Sequence, residues 1–149
     1  MIQQLITSFI ASAAFGVIFN APPKSLIKGG FVGMAGWSLY YWLVSHEFDA
    51  VFATLLASFL IAIISHIFAK IYRTPVIIFS VAGIIPLVPG GLAYDSMRNF
   101  VENDYTMAME LAAKAFMISG SIAIGLVFSE VINQIVRNPS INIEAENES

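Results

Sequence analysis

Apolar runs separated by short polar breaks dominate this chain from Ile2 to about Ile135. The first run extends to Phe19 and stops at Asn20-Ala21-Pro22-Pro23, since paired prolines cannot continue a helix. A glycine-rich second run covers about Gly29 to Val44, and a third covers Ala50 to Ile71. Thr74-Pro75 then reads as a helix cap followed by proline in the first turn. The fourth run, Val76 to Ile85, is long enough for only about half a membrane. It meets Pro86-Leu87-Val88-Pro89-Gly90-Gly91 and resumes beyond it. From Asp95 to Glu110 the pattern turns amphipathic, and a last run covers about Met107 to Ile135.

Composition agrees with this reading. The 149 residues are 58% hydrophobic and 11% charged, against roughly 25% charged in soluble domains. Mean hydropathy is +0.80. The expected fold is an all-α integral membrane protein of about five transmembrane helices, the fourth broken at Pro86-Gly91. Residues 1–137 form a single transmembrane domain and 138–149 a disordered acidic cytoplasmic tail. Glu144, Glu146 and Glu148 in that tail account for the net charge of −3. A secretory signal would have a basic start and a short apolar stretch. The first run has neither, so it is read as a retained span.

Small residues recur at helical spacing on several runs: Gly29, Gly33 and Gly36; Ser58, Ala62, Ser65 and Ala69; Ala108, Ala112, Ala115 and Ser119. In a bilayer such stripes let helices approach closely. Trp37, Tyr40, Tyr41 and Trp42 suggest an interfacial belt. Lys24, Lys28, Lys70, Arg73 and Arg137 fall on one side of a five-crossing chain. By the positive-inside rule that side is the cytoplasm, which puts the N-terminus outside and the C-terminus inside. A re-entrant fourth segment would make four crossings instead.

The break is where chemistry is expected. In hydrocarbon, irregular backbone survives only against protein or a water-filled cavity, and transporters place substrates at discontinuous helices. The first amides of a half-helix starting near Pro89 or Gly90 suit a carboxylate. The carbonyls before Pro86 and Pro89 suit a cation or proton donor. Gly90 and Gly91 permit close approach, and Tyr94 offers a hydroxyl. Pro86, Pro89, Gly90, Gly91 and Tyr94 are therefore the candidate substrate-binding residues; the alternative is a simple kink filled by neighbouring helices. Asp95, Lys114 and Glu130 are candidates for proton or ion coupling, since ionisable groups in spans usually face a cavity or partner. Lys114 also stands at ion-pairing distance in sequence from Glu110. His66 reads as interfacial.

No HExxH, GxSxG or phosphate-loop pattern occurs, and Cys is absent. Neither an enzyme, a metal site nor a cofactor is expected, and no basic cluster points to nucleic acid.

Particular residues carry a family resemblance. They are Phe19-Asn20-Ala21-Pro22, Gly33-Met34-Ala35-Gly36-Trp37, Pro75-Val76-Ile77-Ile78-Phe79, and the stretch Gly83 to Tyr94, GIIPLVPGGLAY. Over about residues 5–130 the chain resembles the small membrane subunit of the threonine/serine exporter family. It is similar to the small subunit of the two-component succinate exporter. The resemblance implies a secondary exporter of amino acids or small carboxylates, working in the cell membrane with a larger subunit of the same family. It carries no residue set with it. Two other readings stay open: a structural or assembly subunit without substrate contact, and a homo-oligomeric channel.

Overall fold

The structure, a computed structural model, describes residues 2–137. Its elements in order are α1 (Ile2–Ile18), α2 (Pro23–Ser45), α3 (Ala50–Tyr72), α4 (Val76–Ile84), a 3-10 turn (Ile85–Leu87), α5 (Gly90–Val101) and α6 (Tyr105–Arg137). No strand occurs among the described residues. The tail expected to be disordered, 138–149, lies outside them.

Local chemistry sets the helix ends. Asn20, Glu47, Arg73 and Asn103 each adopt positive φ where a helix stops. Asp49 caps α3, its carboxylate accepting from the Val51 amide at 2.8 Å. Asp104 accepts from the Met107 amide at 3.1 Å and starts α6. Three boundaries differ from the sequence expectation. α2 begins at Pro23 rather than near Gly29, because proline fits the first helical position, where no amide bond is lost. Thr74 does not cap α4; its hydroxyl donates back to the Tyr72 carbonyl at 3.1 Å, and Pro75 stands at the cap. The amphipathic stretch from Asp95 does not run smoothly into the last span, because Asn103 turns the chain sharply between α5 and α6.

α3 and α6 are long and apolar enough to cross a membrane. Val76–Leu87 and Gly90–Val101 form a third candidate span, bent by 49°. α1 is a shorter apolar helix of 17 residues. α2 has 23 residues, but its lysines, serines and glycines dilute its hydropathy.

Packing is close wherever glycine or serine faces a neighbour. Gly83 of α4 sits between Val32 and Ile61, whose atoms lie 2.7 and 2.9 Å from where a Cβ would be. Gly33 lies against Ser12 of α1, and Gly36 against Ile61. Val32, Ile61 and Phe79, all fully buried, form the centre where α2, α3 and α4 meet. Ser58, Ala62, Ser65 and Ala69 are all buried, as their spacing predicts. On α6 the inward stripe is different from the expected one. Ala108 and Ala115 are buried with Ile118, Ser121, Ile122 and Ser129, whereas Ala112 and Ser119 are exposed. Ala108, Ala115, Ile118, Ile122, Gly125 and Ser129 fall on one stripe at heptad spacing, and Ala112 and Ser119 lie off its edge.

Gly125 meets Ser58, and Asn133 meets His66, so α3 and α6 run parallel. On that register Ala50 levels with about Met117. The part of α6 before Met117, ~18 Å of helix, extends past the start of α3 and packs on α5. Ser96 joins that hairpin, its buried hydroxyl donating to the Ala108 carbonyl at 2.8 Å.

Candidate functional site

The break begins at Pro86, which cannot donate to the preceding turn. Ile85–Leu87 tightens into a 3-10 turn, and Val88 is extended at φ −63°, ψ 126°. α5 then starts at Gly90. The carbonyl of Ile85 accepts from the Val88 amide at 3.2 Å, and that of Val88 from the Gly90 amide at 2.8 Å. Both carbonyls preceding the prolines are thus engaged by the backbone. The next regular bond runs from the Ala93 amide to the Pro89 carbonyl at 3.1 Å. The amides of Gly91 and Leu92 carry no backbone hydrogen bond among the described residues. They are the orphan donors that any helix N-terminus leaves.

The break has two sides. Pro86 is half-buried and lines an open groove of about 290 Å³ with Gln3, Gln4, Thr7, Ser8 and Trp37. The Thr7 and Ser8 hydroxyls donate to the Gln3 and Leu5 carbonyls. The Trp37 indole Nε1 is buried without a hydrogen-bond partner among the described residues. The second side is open: a Cβ added at Gly90 or Gly91 would meet nothing within 4 Å. Tyr94 is 69% exposed on the same half-helix. The structure therefore brings Pro86 against α1 and α2, and turns Gly90, Gly91 and Tyr94 outward. Pro89 is half-buried between them.

Gln3, Gln4, Thr7 and Trp37 were not read as site residues from the sequence. Adjacent glutamines at the start of an apolar run were the available signal. Trp37 was read into an interfacial belt, but it packs beside Tyr40 against the core, at 5.2 Å between ring centres. Trp42 is the half-exposed member, with its ring 4.4 Å from that of His46.

The three ionisable candidates are scattered. Asp95 is exposed on α5, and Lys114 is exposed on α6. The ion pairs among the described residues are Arg98–Glu102 and His66–Glu130, so the spacing of Glu110 and Lys114 does not yield a bridge. Glu130 meets His66 across the α3–α6 contact, with Oε2 3.1 Å from Nε2. Nothing in the sequence spacing joins these two residues, which lie on different helices.

A family model described as Threonine/Serine exporter, ThrE, matches residues 4–132. The chain belongs to the threonine/serine exporter family. The matched residues contain all but the first two residues of α1, the whole of α2 to α5 with the Pro86–Gly91 break, and all but the end of α6. No solved structure matches the chain. As a member of that family it is a multi-pass protein of the lipid bilayer, in a family of transporters rather than enzymes. The bent pair of half-helices is thereby set inside a transport protein, where a broken span has a recognised use.

Proposed function

We propose that this chain is a membrane subunit of a secondary exporter of small carboxylate-bearing metabolites, either threonine and serine or a dicarboxylate such as succinate. The substrate passes the Pro86–Gly91 break. One observation carries the reading: the Gly91 and Leu92 amides are left without backbone partners at the head of α5, inside a bent apolar span. Such amides, with the positive end of the helix dipole, favour a carboxylate. Pro86, Pro89, Gly90, Gly91 and Tyr94 line the path on the broken segment. Gln3, Gln4, Thr7 and the Trp37 indole supply neutral polar groups on the facing helices, suited to a hydroxyl or a second carboxylate.

A larger subunit of the same family closes the other wall. The open space at Gly90 and Gly91 and the exposure of Tyr94 support this, since polar backbone cannot face lipid. The subunit sits in the cell membrane with five crossings, its N-terminus outside and its C-terminus in the cytoplasm. The placement of Lys24, Lys28, Lys70 and Arg73 supports that orientation.

Export of serine, threonine and succinate from cells expressing this chain, with and without the larger subunit, tests the proposal. Gly90→Leu and Tyr94→Phe are expected to abolish export while the complex still assembles. Normal export by both variants would remove the break from the path and leave a structural or assembly subunit. Transport by this chain alone in liposomes would make it a homo-oligomeric channel.

A further inference from the structure

His66 is embedded between the inner ends of α3, α4 and α6. It lies six residues before the end of α3, ~9 Å along the axis. Its side chain is 14% exposed, and that of Glu130 is 51% exposed. His66 Nε2 stands 3.1 Å from Glu130 Oε2, and His66 Nδ1 stands 3.2 Å from Asn133 Nδ2. Gln134 donates to the other Glu130 oxygen at 3.1 Å. All imidazole nitrogens and both carboxylate oxygens are thus engaged. Two cavities meet at this ring. The larger, about 660 Å³, is lined by Lys70, Arg73, Thr74 and Asn133. The smaller, about 260 Å³, lies against Ser80 and Glu130. His66 and Val76 line both.

We propose that His66 and Glu130 form the proton-binding site that couples transport to the proton gradient, with Asn133 as the positioning residue that reports the state of the ring. This assignment rests on the exporter reading above. An amide nitrogen facing Nδ1 requires a lone pair there, so the neutral ring carries its proton on Nε2, shared with the Glu130 carboxylate. That pair has a net charge of −1. A proton arriving from the larger cavity bonds to Nδ1, makes the imidazolium, and brings the pair to zero. Asn133 must then turn its amide over so that Oδ1 accepts the new N–H. Each protonation state therefore has its own amide orientation. Release of the proton reverses both changes.

Glu130 on α6 faces the ring directly, and Lys70 on α3 and Arg73 at the α3 C-cap line the larger cavity beside it. α4 presents Val76 and Ser80, neither of which titrates near neutrality. Lys28 on α2 is occupied above the Tyr72 ring, 3.0 Å from its centre. Imidazole is the side chain suited to proton exchange between pH 5 and 8, and ionisable groups within spans commonly form proton relays.

Two measurements on the full chain decide the matter. The first is nitrogen NMR of the labelled histidines in lipid nanodiscs, with His46→Asn leaving a single ring. The neutral ring is expected to carry its proton on Nε2. Asn133→Asp and Glu130→Gln should move the titration midpoint in opposite senses, because one adds and the other removes a carboxylate beside the ring. A ring that does not titrate between pH 5 and 8, or midpoints unmoved in both variants, overturns the proposal. The second is transport in vesicles loaded with serine or threonine, together with the partner subunit. His66→Gln should retain substrate–substrate exchange but lose the pH dependence of net export and the accompanying proton movement. An unchanged pH profile, or equal loss of exchange and net export, overturns the coupling role. Absence of exchange in the unmodified protein would count against the exporter reading itself, while the NMR titration still decides whether the pair binds a proton.

Discussion

Gly125 of α6 lies directly on Ser58 of α3, where the two longest apolar helices cross. A Cβ at Gly125 would stand 2.8 Å from the Leu55 carbonyl and 3.1 Å from the Phe59 amide, both backbone atoms that cannot swing aside. Gly120, little more than one turn earlier, has no atom within 4 Å of the same added carbon. Gly125→Val should therefore destabilise the bundle by about 1–3 kcal/mol, as overpacking does. Gly120→Val should be tolerated. Thermal unfolding of the two variants in the same detergent checks the difference.

Gly90 and Gly91 give the opposite expectation. Among the described residues nothing opposes a side chain at either position. Gly90→Ala and Gly91→Ala should leave the stability of the isolated chain unchanged or raise it by up to about 1 kcal/mol, through the lower entropy of the unfolded chain. Export should nevertheless fall in the intact transporter, because the space belongs to the substrate or to the partner subunit. Unfolding and export measured on the same variants separate these effects.

Trp37 holds a buried indole N–H that has no partner among the described residues. Trp37→Phe removes the donor and keeps much of the apolar ring, so stability should be little changed. If the indole donates to a substrate carboxylate, the apparent KM for export should rise about tenfold, equivalent to ~1.4 kcal/mol. An unaltered KM would place the indole outside the substrate path. Transport kinetics across a serine concentration series give the answer.

The chain has no Cys, so single cysteines can be introduced without background. Glu47→Cys and Asn103→Cys, on the loops before α3 and α6, should react with an impermeant maleimide added outside cells. Lys24→Cys and Arg73→Cys should react only after the membrane is opened. Labelling of Arg73→Cys from outside would exclude the five-crossing arrangement with a cytoplasmic C-terminus.

The helical membrane character was legible in the apolar runs, and the break was legible at Pro86-Leu87-Val88-Pro89-Gly90-Gly91. Both follow from local chemistry: apolar length sets a span, and missing or unstable backbone bonds interrupt it. The buried stripe Ser58, Ala62, Ser65 and Ala69 was legible for the same reason, since helical spacing fixes which side chains share a face. Local pattern did not settle which stripe of α6 turns inward. Ala112 and Ser119 are small and lie four residues after Ala108 and Ala115, but the buried seam steps through Ala115, Ile118, Ile122 and Gly125, because the neighbouring helices and not residue size choose the face.

The pairing of His66 with Glu130 belongs wholly to the tertiary structure. The residues are far apart in sequence, and only the parallel register of α3 on α6, pinned by Gly125 against Ser58, brings their side chains together. The same holds for the two faces of the break. Sequence alone determined that the fourth segment must break between Pro86 and Gly91, because its residues cannot maintain helical hydrogen bonds. Packing alone decided that Pro86 turns toward Trp37 and the glutamines of α1 while Gly90 and Gly91 open away. The direction of a bend depends on the helices beside it, and a local sequence does not contain them.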